Sequence, residues 1–469
     1  PTRFLLLRPE TAEPAANEPT DWGSIMPKDN SPSDLPRESG TEADLFQLYA
    51  DNPEKADEVV FGRVPHNDRR GFLKGAGLAT MGALIGAAIP FHRNMPAGFI
   101  PEALAATPLK IDGKDGLTIL NDRPVNAETP AHLLDDDVTP TARHFIRNNG
   151  LVPDDMNPDK WTLTIDGFVD TPLKLSIADL KAKFPAVTRK IWLECGGNGR
   201  AFFDPKAKGN QWSLGAVGCA EWTGVRLIDV LKAAGVKKDA IYTAHFGADT
   251  HLSGKEGKLP ISRGVPIAKA MDENNMIAWA MNGEAIHPMN GAPLRLIIPG
   301  WPGSVSHKWF NRMELRNVVH DGPKMTGSAY RLPPHPVAPG EKVDTKKMVF
   351  IEAMPVKSLI TFPETGIKLP KGERSVQVRG HAWVGEGKVS SVEVSIDFGT
   401  TWIKTKLADP ANPFAWQRFT QTVKLPQEGY YEIWARAVDD KGRSQPFAIA
   451  WNPKGYCNNA MHRVSVYAS

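Results

Sequence analysis

The residues Ile191 to Arg200 read Ile-Trp-Leu-Glu-Cys-Gly-Gly-Asn-Gly-Arg, and they place a thiol between an apolar run and a glycine-rich turn. The apolar run is typical of a buried strand. The glycines after Cys195 permit backbone conformations that bring a bulky group close to the main chain. The arrangement therefore holds a thiol at the end of a strand, facing something large, where it could take part in chemistry. An arbitrary Cys-Gly-Gly is more often a buried cysteine beside a turn, so the rest of the chain has to decide between the two interpretations.

The three cysteines of the chain are Cys195, Cys219 and Cys457. The sequence contains no Cys-x-x-Cys pair, so it lacks the spacings typical of zinc and iron–sulfur sites. It also lacks the Cys-x-x-Cys-His motif of c-type haem attachment. The odd count indicates no closed disulfide framework. We interpret Cys219 and Cys457 as buried, apolar-type side chains, which leaves Cys195 for chemistry.

The composition is that of an ordinary globular protein of 469 residues, which is long enough for two or three domains with complete cores. The net charge of +3 is too small to indicate a protein that binds nucleic acid or an anionic membrane. The 41 glycines and 40 prolines favour a fold rich in loops and strands over a helical bundle.

The N-terminal part divides into two predicted segments. Residues 1–66 are polar and without sustained periodicity, and we expect them to be disordered. Residues 67–106 contain Arg69-Arg70, a short apolar stretch and Ala103-Leu104-Ala105, which resembles a twin-arginine export signal. The alternative is a buried helix after a basic cap. The apolar stretch is too short to span a bilayer comfortably. An export signal of this type predicts a periplasmic protein with a cofactor inserted before export.

The two remaining segments have different patterns. Residues 107–338 mix strands with short helices, one capped by Ser176 and one that runs from Leu227 to Ala234 and ends at Gly235. Residues 339–469 follow a proline-rich connector and show recurring short alternating strands, which is typical of a β-sandwich. The sequence therefore predicts an α+β domain followed by an all-β domain.

Several separated motifs occur in order along the chain, and together they resemble the sulfite oxidase family of molybdenum enzymes. They are Phe145-Ile146-Arg147-Asn148, Glu194-Cys195-Gly196-Gly197-Asn198, Trp212-x-x-Gly215-Ala216, Trp222-x-Gly224-Val225, Pro266-Ile267-Ala268-Lys269-Ala270-Met271-Asp272, Pro299-Gly300-Trp301, His307-Lys308-Trp309 and Trp451-Asn452. The resemblance implies a molybdopterin-binding domain at 107–338 and an immunoglobulin-like dimerisation domain at 339–469. It also implies a homodimer, with no haem domain in this chain.

The resemblance assigns roles to individual residues. Cys195 would be the thiolate ligand of molybdenum, which is chemically reasonable for a soft ligand on a high-valent metal. The expected residues of the substrate pocket are Arg147, Arg200, Trp212 and Lys454. Guanidinium groups match the oxygens of sulfite and sulfate in bidentate fashion. The expected cofactor contacts are Phe145, Asn149, Asp249, Asn290, Arg295, Ser306, His307 and Lys308.

The chain departs from the family pattern at four places. Lys454 replaces the usual arginine, and Asn149 and Asn290 are found where some relatives have histidine. The active-site tyrosine that precedes the Pro-Ile-Ala motif in many relatives is also missing. His251 lies a little upstream and is a candidate to fill that space, although a lone histidine is usually structural.

The resemblance implies oxidation of sulfite to sulfate by oxygen-atom transfer, with electrons passed singly to an external c-type cytochrome. A second possibility is the molybdenum subunit of a sulfane dehydrogenase in a thiosulfate-oxidising complex. Arg200 and the run Arg147-Asn148-Asn149 favour free sulfite over carrier-bound sulfur as the substrate. A binding module with an inert first domain is a third possibility, and a reductase acting on oxidised methionine is a fourth. The reductase is disfavoured because such proteins usually lack the C-terminal sandwich.

Overall fold

The computed structural model describes residues 109–469. The predicted extension at 1–66 and the predicted export signal at 67–106 lie outside the described residues. Within residues 109–469, no helix is long and apolar enough to cross a membrane. The described chain has the predicted α+β architecture, in which sheets with few short helices are followed by a β-sandwich.

The strands of the first domain form three sheets and a separate pair. In chain order they are β1 (Thr118–Asp122), β2 (Val125–Glu128), β3 (Ile146–Arg147), β4 (Thr162–Gly167), β5 (Leu173–Ser176), β6 (Ala186–Glu194), β7 (Val217–Arg226), β8 (Tyr242–Gly247), β9 (Met276–Met281), β10 (Glu284–Ala285), β11 (Arg295–Ile297), β12 (Phe310–Arg316), β13 (Arg331–Leu332) and β14 (Val349–Phe350). The sheet orders are β1-β2-β3, β10-β9-β7-β6 with β11 also on β9, and β5-β4-β12-β8. The strands β13 and β14 pair with each other across the proline-rich connector.

The described helices are α1 (Ile177–Lys183), α2 (Leu227–Ala234), α3 (Ile267–Ala270) and five 3₁₀ turns (Ala131–Leu134, Thr141–Arg143, Arg200–Phe202, Pro288–Asn290, Thr345–Lys347). Two sequence predictions are confirmed here. Ser176 caps α1 through a capping box with Asp179. The helix α2 spans the predicted residues and ends at Gly235, whose φ of 70° is accessible to glycine at little cost.

The strand β6 is buried on both faces near its end, although it lies at the edge of its sheet. Ile191 and Leu193 pack into the core of the first domain. Trp192 points the other way and packs near Trp383 of the second domain, with ring centroids 6.3 Å apart. A continuous apolar run, rather than an alternating one, is what a strand between two cores requires.

The strands of the second domain are β15 (Lys357–Phe362), β16 (Ile367–Lys368), β17 (Ser375–Trp383), β18 (Val389–Ser395), β19 (Ile403–Lys404), β20 (Lys406–Leu407), β21 (Gln417–Lys424), β22 (Gly429–Asp439) and β23 (His462–Ala468). They form two sheets, β15-β17-β21-β20 and β16-β23-β22-β18-β19. The alternating residues predicted to face the core, such as Val376, Val392 and Ile433, are buried. On the opposite face of β22, Trp434 is also nearly buried because the ring of Phe447 stacks on it at 5.1 Å.

Candidate active site

Two cavities meet at Cys195. The first, which we call the polar cleft, is about 650 Å³ and is lined by Phe145, Arg147, Asn149, Cys195, Gly196, Asp249, Ile261, Asn290, Arg295, Gly303, Ser304, Ser306, His307, Lys308, Trp309 and Tyr330. The second, the cation pocket, is about 670 Å³ and is lined by Arg147, Asn149, Cys195, Arg200, Lys208, Gly209, Asn210, Trp212, Lys324, Ala329, Tyr330, Lys454 and Tyr456. Cys195 and the eight other predicted cofactor contacts all line the polar cleft, and all four predicted substrate residues line the cation pocket.

The thiol of Cys195 is presented by the turn that follows β6. Its backbone N–H donates to the carbonyl of Ala216 at 2.9 Å, which ties the turn to the start of β7. Asn198 closes the turn, because its N–H donates to the carbonyl of Cys195 at 2.8 Å and its Oδ1 accepts from the N–H of Ala216. Cys195 is therefore held rigidly while 8% of its surface remains exposed to the cavities.

The glycines after Cys195 make room for side chains from the same site. A Cβ built on Gly197 would lie 2.3 Å from Nη2 of Arg200, and one built on Gly199 would lie 2.7 Å from Cβ of Asn458. The bulky group against the Gly197 main chain is thus the guanidinium of Arg200. The turn that carries the thiol therefore also folds its own cation back toward the cation pocket.

Arg200 is fixed in place on three sides. Its Nε donates to the carbonyl of Lys454 at 2.7 Å, and its Nη1 donates to the carbonyl of Asn210 at 2.9 Å. Its guanidinium lies over the ring of Tyr456 at 5.1 Å, which is within the range of a cation–π contact. Backbone carbonyls hold the group without neutralising its charge, so Arg200 remains a positive donor within the pocket.

Arg147 lies at the boundary of the two cavities. Its Nη1 donates to the carbonyl of Asn148 at 2.5 Å, and its side chain lines both cavities beside Cys195. Burial lowers the pKa of Arg147. Electrostatic interactions with Tyr330, Cys195 and Tyr456 raise it by more, so the pKa lies above its usual value. Arg147 therefore stays charged beside the thiol.

The described residues that line the cation pocket carry five cations and no carboxylate. Arg147 and Arg200 are inner cations, Lys454 is half-buried, and Lys208 and Lys324 are exposed. A pocket lined by one sign of charge concentrates ligands of the opposite sign. This arrangement is suited to a small anion with several oxygens.

The polar cleft also has an excess of positive charge. Arg295 is 5% exposed, and among the described residues its Nε has no hydrogen-bond partner. The Nζ of Lys308 donates to the carbonyl of Met289 at 2.8 Å and to Asn148. Asp249 is the one carboxylate among the described residues that line the cleft. Buried cations with an unpartnered N–H are costly unless a bound anion compensates them.

Burial favours the neutral forms of Arg295, Lys308 and Asp249 and shifts their pKa values accordingly. It lowers the pKa of Arg295 to about 9 and moves the pKa of Lys308 well below its ordinary value, the latter with help from the charge of Arg295. Burial raises the pKa of Asp249 to about 6, although Lys308 opposes this. A phosphate beside Arg295 and Lys308 would stabilise their charged forms. The donor set therefore fits a phosphate-bearing, metal-binding cofactor.

The remaining predicted contacts form the walls of the polar cleft. Phe145 is 6% exposed and stacks on His144, with ring centroids 5.1 Å apart. The Oγ of Ser306 accepts from the N–H of Ile298 at 3.0 Å, which closes the glycine-rich loop before it. The hydroxyl of Ser304, which the sequence analysis did not select, is buried with no partner among the described residues. It is available to a ligand in the cleft.

His307 is buried, and burial lowers its pKa to about 3, so the ring is neutral. Asn290 donates from Nδ2 to the carbonyl of Phe145 at 3.1 Å and accepts at Oδ1 from Nζ of Lys114 at 2.5 Å. Lys114 precedes every motif that carried the resemblance, which is why the sequence analysis missed it. The half-buried amine of Lys114 fixes which end of the Asn290 amide points toward the cleft.

Two tyrosines occupy the boundary where the cavities meet, and the sequence analysis missed both. Tyr330 lines both cavities and Tyr456 lines the cation pocket. Their rings stack with centroids 5.5 Å apart, and Arg263 lies over the other face of Tyr330 at 4.4 Å. His251, the sequence-based candidate for this space, lines neither cavity. Its Nδ1 is instead 2.9 Å from Oγ of Ser253 in a surface turn.

Two family models match the chain. The model described as "Oxidoreductase molybdopterin binding domain" covers residues 149–324, and the one described as "Mo-co oxidoreductase dimerisation domain" covers residues 348–469. The first contains Cys195, Arg200 and the glycine-rich loop. The second begins just before β14 and covers the sandwich.

Similar proteins belong to the same group. The mitochondrial sulfite oxidase of Homo sapiens is 33% identical over 373 residues, which cover 75% of this chain and 66% of that protein. The sulfite oxidase of Gallus gallus is 32% identical over 364 residues, which cover 74% of this chain and 77% of that protein. The chain thus spans about two thirds to three quarters of the length of these relatives.

The crystal structure of the sulfane dehydrogenase SoxCD from Paracoccus pantotrophus is similar, with a TM-score of 0.63 and 28% sequence identity. The match covers 81% of this chain and 96% of that one. The two family models, the sulfite oxidase relatives and the geometry of the two cavities agree with one another. The chain therefore belongs to the sulfite oxidase family of molybdenum enzymes.

Proposed function

We propose that this chain oxidises sulfite to sulfate with a molybdenum–molybdopterin cofactor held in the polar cleft. The observation that carries the proposal is the meeting of the two cavities at Cys195, with Arg147 and Arg200 lining the second. When bound, the cofactor supplies oxygen-atom transfer, in which sulfite and water yield sulfate, two protons and two electrons. The protein supplies binding, orientation and electrostatic stabilisation.

The residues of the polar cleft have distinct roles in holding the cofactor. Cys195 provides the thiolate ligand to molybdenum. Arg295 and Lys308 bind the phosphate of the cofactor, because burial disfavours their charged forms and a bound anion would offset that cost. Phe145, Asn149, Asp249, Asn290, Ser306 and His307 form the remaining contacts.

The residues of the cation pocket act on the substrate. Arg147 and Arg200 would bind the sulfite oxygens and hold the anion beside Cys195, the residue that would hold the metal. Trp212 is 1% exposed and forms a rigid wall. Lys454 contributes charge without the planar fork of an arginine, so we expect weaker bidentate recognition at that position.

A sulfane dehydrogenase acting on carrier-bound sulfur is the second candidate, and the similarity to SoxCD over 81% of this chain supports keeping it. To separate the two, purified protein is assayed with ferricyanide or cytochrome c and either sulfite, thiosulfate or a cysteine persulfide peptide. The proposal predicts turnover with sulfite. Turnover with the persulfide peptide but not with sulfite would replace it by the second candidate. No molybdenum in protein from a cofactor-competent host would favour an inert binding module.

The partners and the compartment follow from the same proposal. We propose a homodimer formed through the sandwich domain, which the match to the dimerisation model supports. We propose an external c-type cytochrome as the acceptor of the electrons that sulfite oxidation releases. We also propose export to the periplasm by the twin-arginine route, on the basis of residues 67–106.

Tyr330→Phe removes a phenol at the junction of the cavities while retaining the ring stacked between Arg263 and Tyr456. Because a hydrogen bond to a charged partner contributes about 1.5–3 kcal/mol, we expect kcat/KM for sulfite to fall by roughly 10- to 100-fold. Steady-state kinetics measure this, with Tyr431→Phe in the sandwich as the matched control. Equal kcat/KM in the wild type and Tyr330→Phe would remove the phenol from substrate binding.

The exposed lysines of the cation pocket are expected to steer the anion from solution. The double variant Lys208→Gln/Lys324→Gln should lower kcat/KM for sulfite by about 3- to 10-fold at low ionic strength and leave kcat unchanged. The difference from the wild type should shrink as salt is added, because salt screens these charges. Lys371→Gln, on the sandwich, serves as the control. A decrease that does not depend on salt would contradict a steering role.

A further inference from the structure

The carboxylate of Glu194 lies at the end of β6, directly before Cys195, and it is 1% exposed. Three donors surround it. Nζ of Lys357 lies 2.8 Å from Oε1, Nδ2 of Asn198 lies 2.9 Å from Oε1, and Nε1 of Trp383 lies 2.9 Å from Oε2. The charge next to the proposed metal ligand is therefore paired and fully hydrogen-bonded.

Two of these donors come from the second domain. Lys357 is the first residue of β15 and Trp383 is the last residue of β17, and the two residues are directly opposite in the antiparallel register. This one residue pair of the sandwich sheet thus donates hydrogen bonds from an ammonium group and an indole N–H to a single carboxylate of the first domain. Lys357 is itself 3% exposed, which is unusual for a lysine.

Stability alone does not explain this ion pair. The desolvation of two buried charges offsets most of their attraction, and a well-packed apolar pair of similar volume would stabilise the interface as well or better. What the pair adds over an apolar contact is direction, because each donor fixes the carboxylate from a different side.

The fixed carboxylate is connected to the thiol-bearing turn by short steps. Glu194 orients Asn198, and Asn198 in turn binds the carbonyl of Cys195 and the N–H of Ala216. The carbonyl of Glu194 also accepts from the N–H of Gly303 in the glycine-rich loop of the polar cleft, at 2.7 Å. A shift of the carboxylate would therefore disturb Asn198 and, through it, the turn that carries Cys195.

We infer that Lys357 and Trp383 are positioning residues of the metal site: acting through Glu194 and Asn198, the sandwich domain sets where the Cys195 thiolate meets molybdenum. This inference rests on the proposed role of Cys195 as the metal ligand, and it does not depend on which sulfur compound is oxidised. The second domain is then an integral part of the catalytic centre, in addition to its role in dimerisation.

The test uses the molybdenum-loaded full chain and three variants: Lys357→Met, the double variant Lys357→Met/Glu194→Gln, and the control Lys404→Met at an exposed position of β19. The readouts are the thiolate-to-metal absorption band, which Cys195→Ser identifies by its loss, together with the molybdenum-to-protein ratio and the steady-state constants. We expect Lys357→Met to shift the band and lower kcat at least fivefold, with KM for sulfite within twofold. The double variant should keep the shifted band and the lower kcat, because it removes the unpaired charge without restoring the Lys357 donor that orients residue 194. Recovery of both would assign the effect of Lys357→Met to the unpaired charge and overturn the inference.

A lower melting temperature with an unchanged band and an unchanged kcat per molybdenum would overturn the inference, since a purely structural role would give that pattern. If Lys357→Met does not fold, Trp383→Phe is used instead, because it removes only the indole N–H donor to Glu194. The inference then predicts a shifted thiolate-to-metal band in Trp383→Phe, and an unchanged band would overturn it. Failure of the proposed function is distinguishable: the wild type would then carry the Cys195-dependent band but would not oxidise sulfite.

Discussion

Cys195→Ser is expected to abolish sulfite turnover, with kcat/KM reduced at least about a thousandfold, the scale seen when a group acting at the reacting centre is removed. A serine hydroxyl at this position is neither soft nor ionised, so it does not replace a thiolate on molybdenum. The fold should persist, because the two side chains differ little in size and the turn is held by backbone and Asn198 contacts. We expect the melting temperature to change by no more than about 4 °C.

Steady-state oxidation of sulfite and thermal unfolding of the same preparations check this prediction. Cys219→Ala is the matched control: Cys219 is fully buried on β7, lines neither cavity, and has a pKa raised to about 12 by burial. It should retain turnover. Equal activity in the wild type and Cys195→Ser would remove Cys195 from the mechanism, whatever its position at the junction of the cavities.

Arg200→Gln is expected to lower kcat/KM for sulfite by roughly 30- to 1000-fold, which corresponds to about 2–4 kcal/mol of transition-state stabilisation. The substitution removes the charge from a donor that backbone carbonyls and the Tyr456 ring hold in one orientation. Arg200→Lys should lie between the two, because it keeps the charge but loses the planar fork and the contacts with Lys454 and Asn210.

The kinetic constants of the three proteins, measured at several ionic strengths, test this ordering. Bound molybdenum should be the same in all of them, since Arg200 does not line the polar cleft. If Arg200→Gln oxidises sulfite as efficiently as the wild type, Arg200 is a structural cation of the turn and the case for free sulfite over carrier-bound sulfur loses its main support.

Much of the fold could be predicted because local chemistry determines it. The capping box at Ser176 and the left-handed Gly235 fix the start of α1 and the end of α2 whatever the rest of the chain does. The alternation of Val392 and Val394 likewise determines which face of β18 is buried. In each case the pattern and its cause lie within a few residues of each other.

The parts that could not be predicted depend on contacts between distant residues. Tyr330 reaches the site from outside the motifs that carried the resemblance, and Tyr456 follows Lys454 by two positions without belonging to a motif. His251, the candidate offered by proximity along the chain, lines neither cavity. The pairing of Glu194 with Lys357 joins residues 163 positions apart. No periodicity or motif predicts this contact, because it forms only when the two domains pack against each other. The burial of Trp434 could not be predicted from its alternation with Ile433 either, because Phe447, which stacks on it, lies in a segment without strand periodicity.

Sulfite oxidation per bound molybdenum decides whether this chain is a sulfite-oxidising molybdenum enzyme. The wild-type protein is assayed with sulfite and ferricyanide at steady state, and the rate is divided by the molybdenum content of the same preparation. We predict turnover that saturates with sulfite and rises in proportion to molybdenum across preparations with different loading. A preparation loaded with molybdenum that reduces no acceptor in the presence of sulfite would contradict the account.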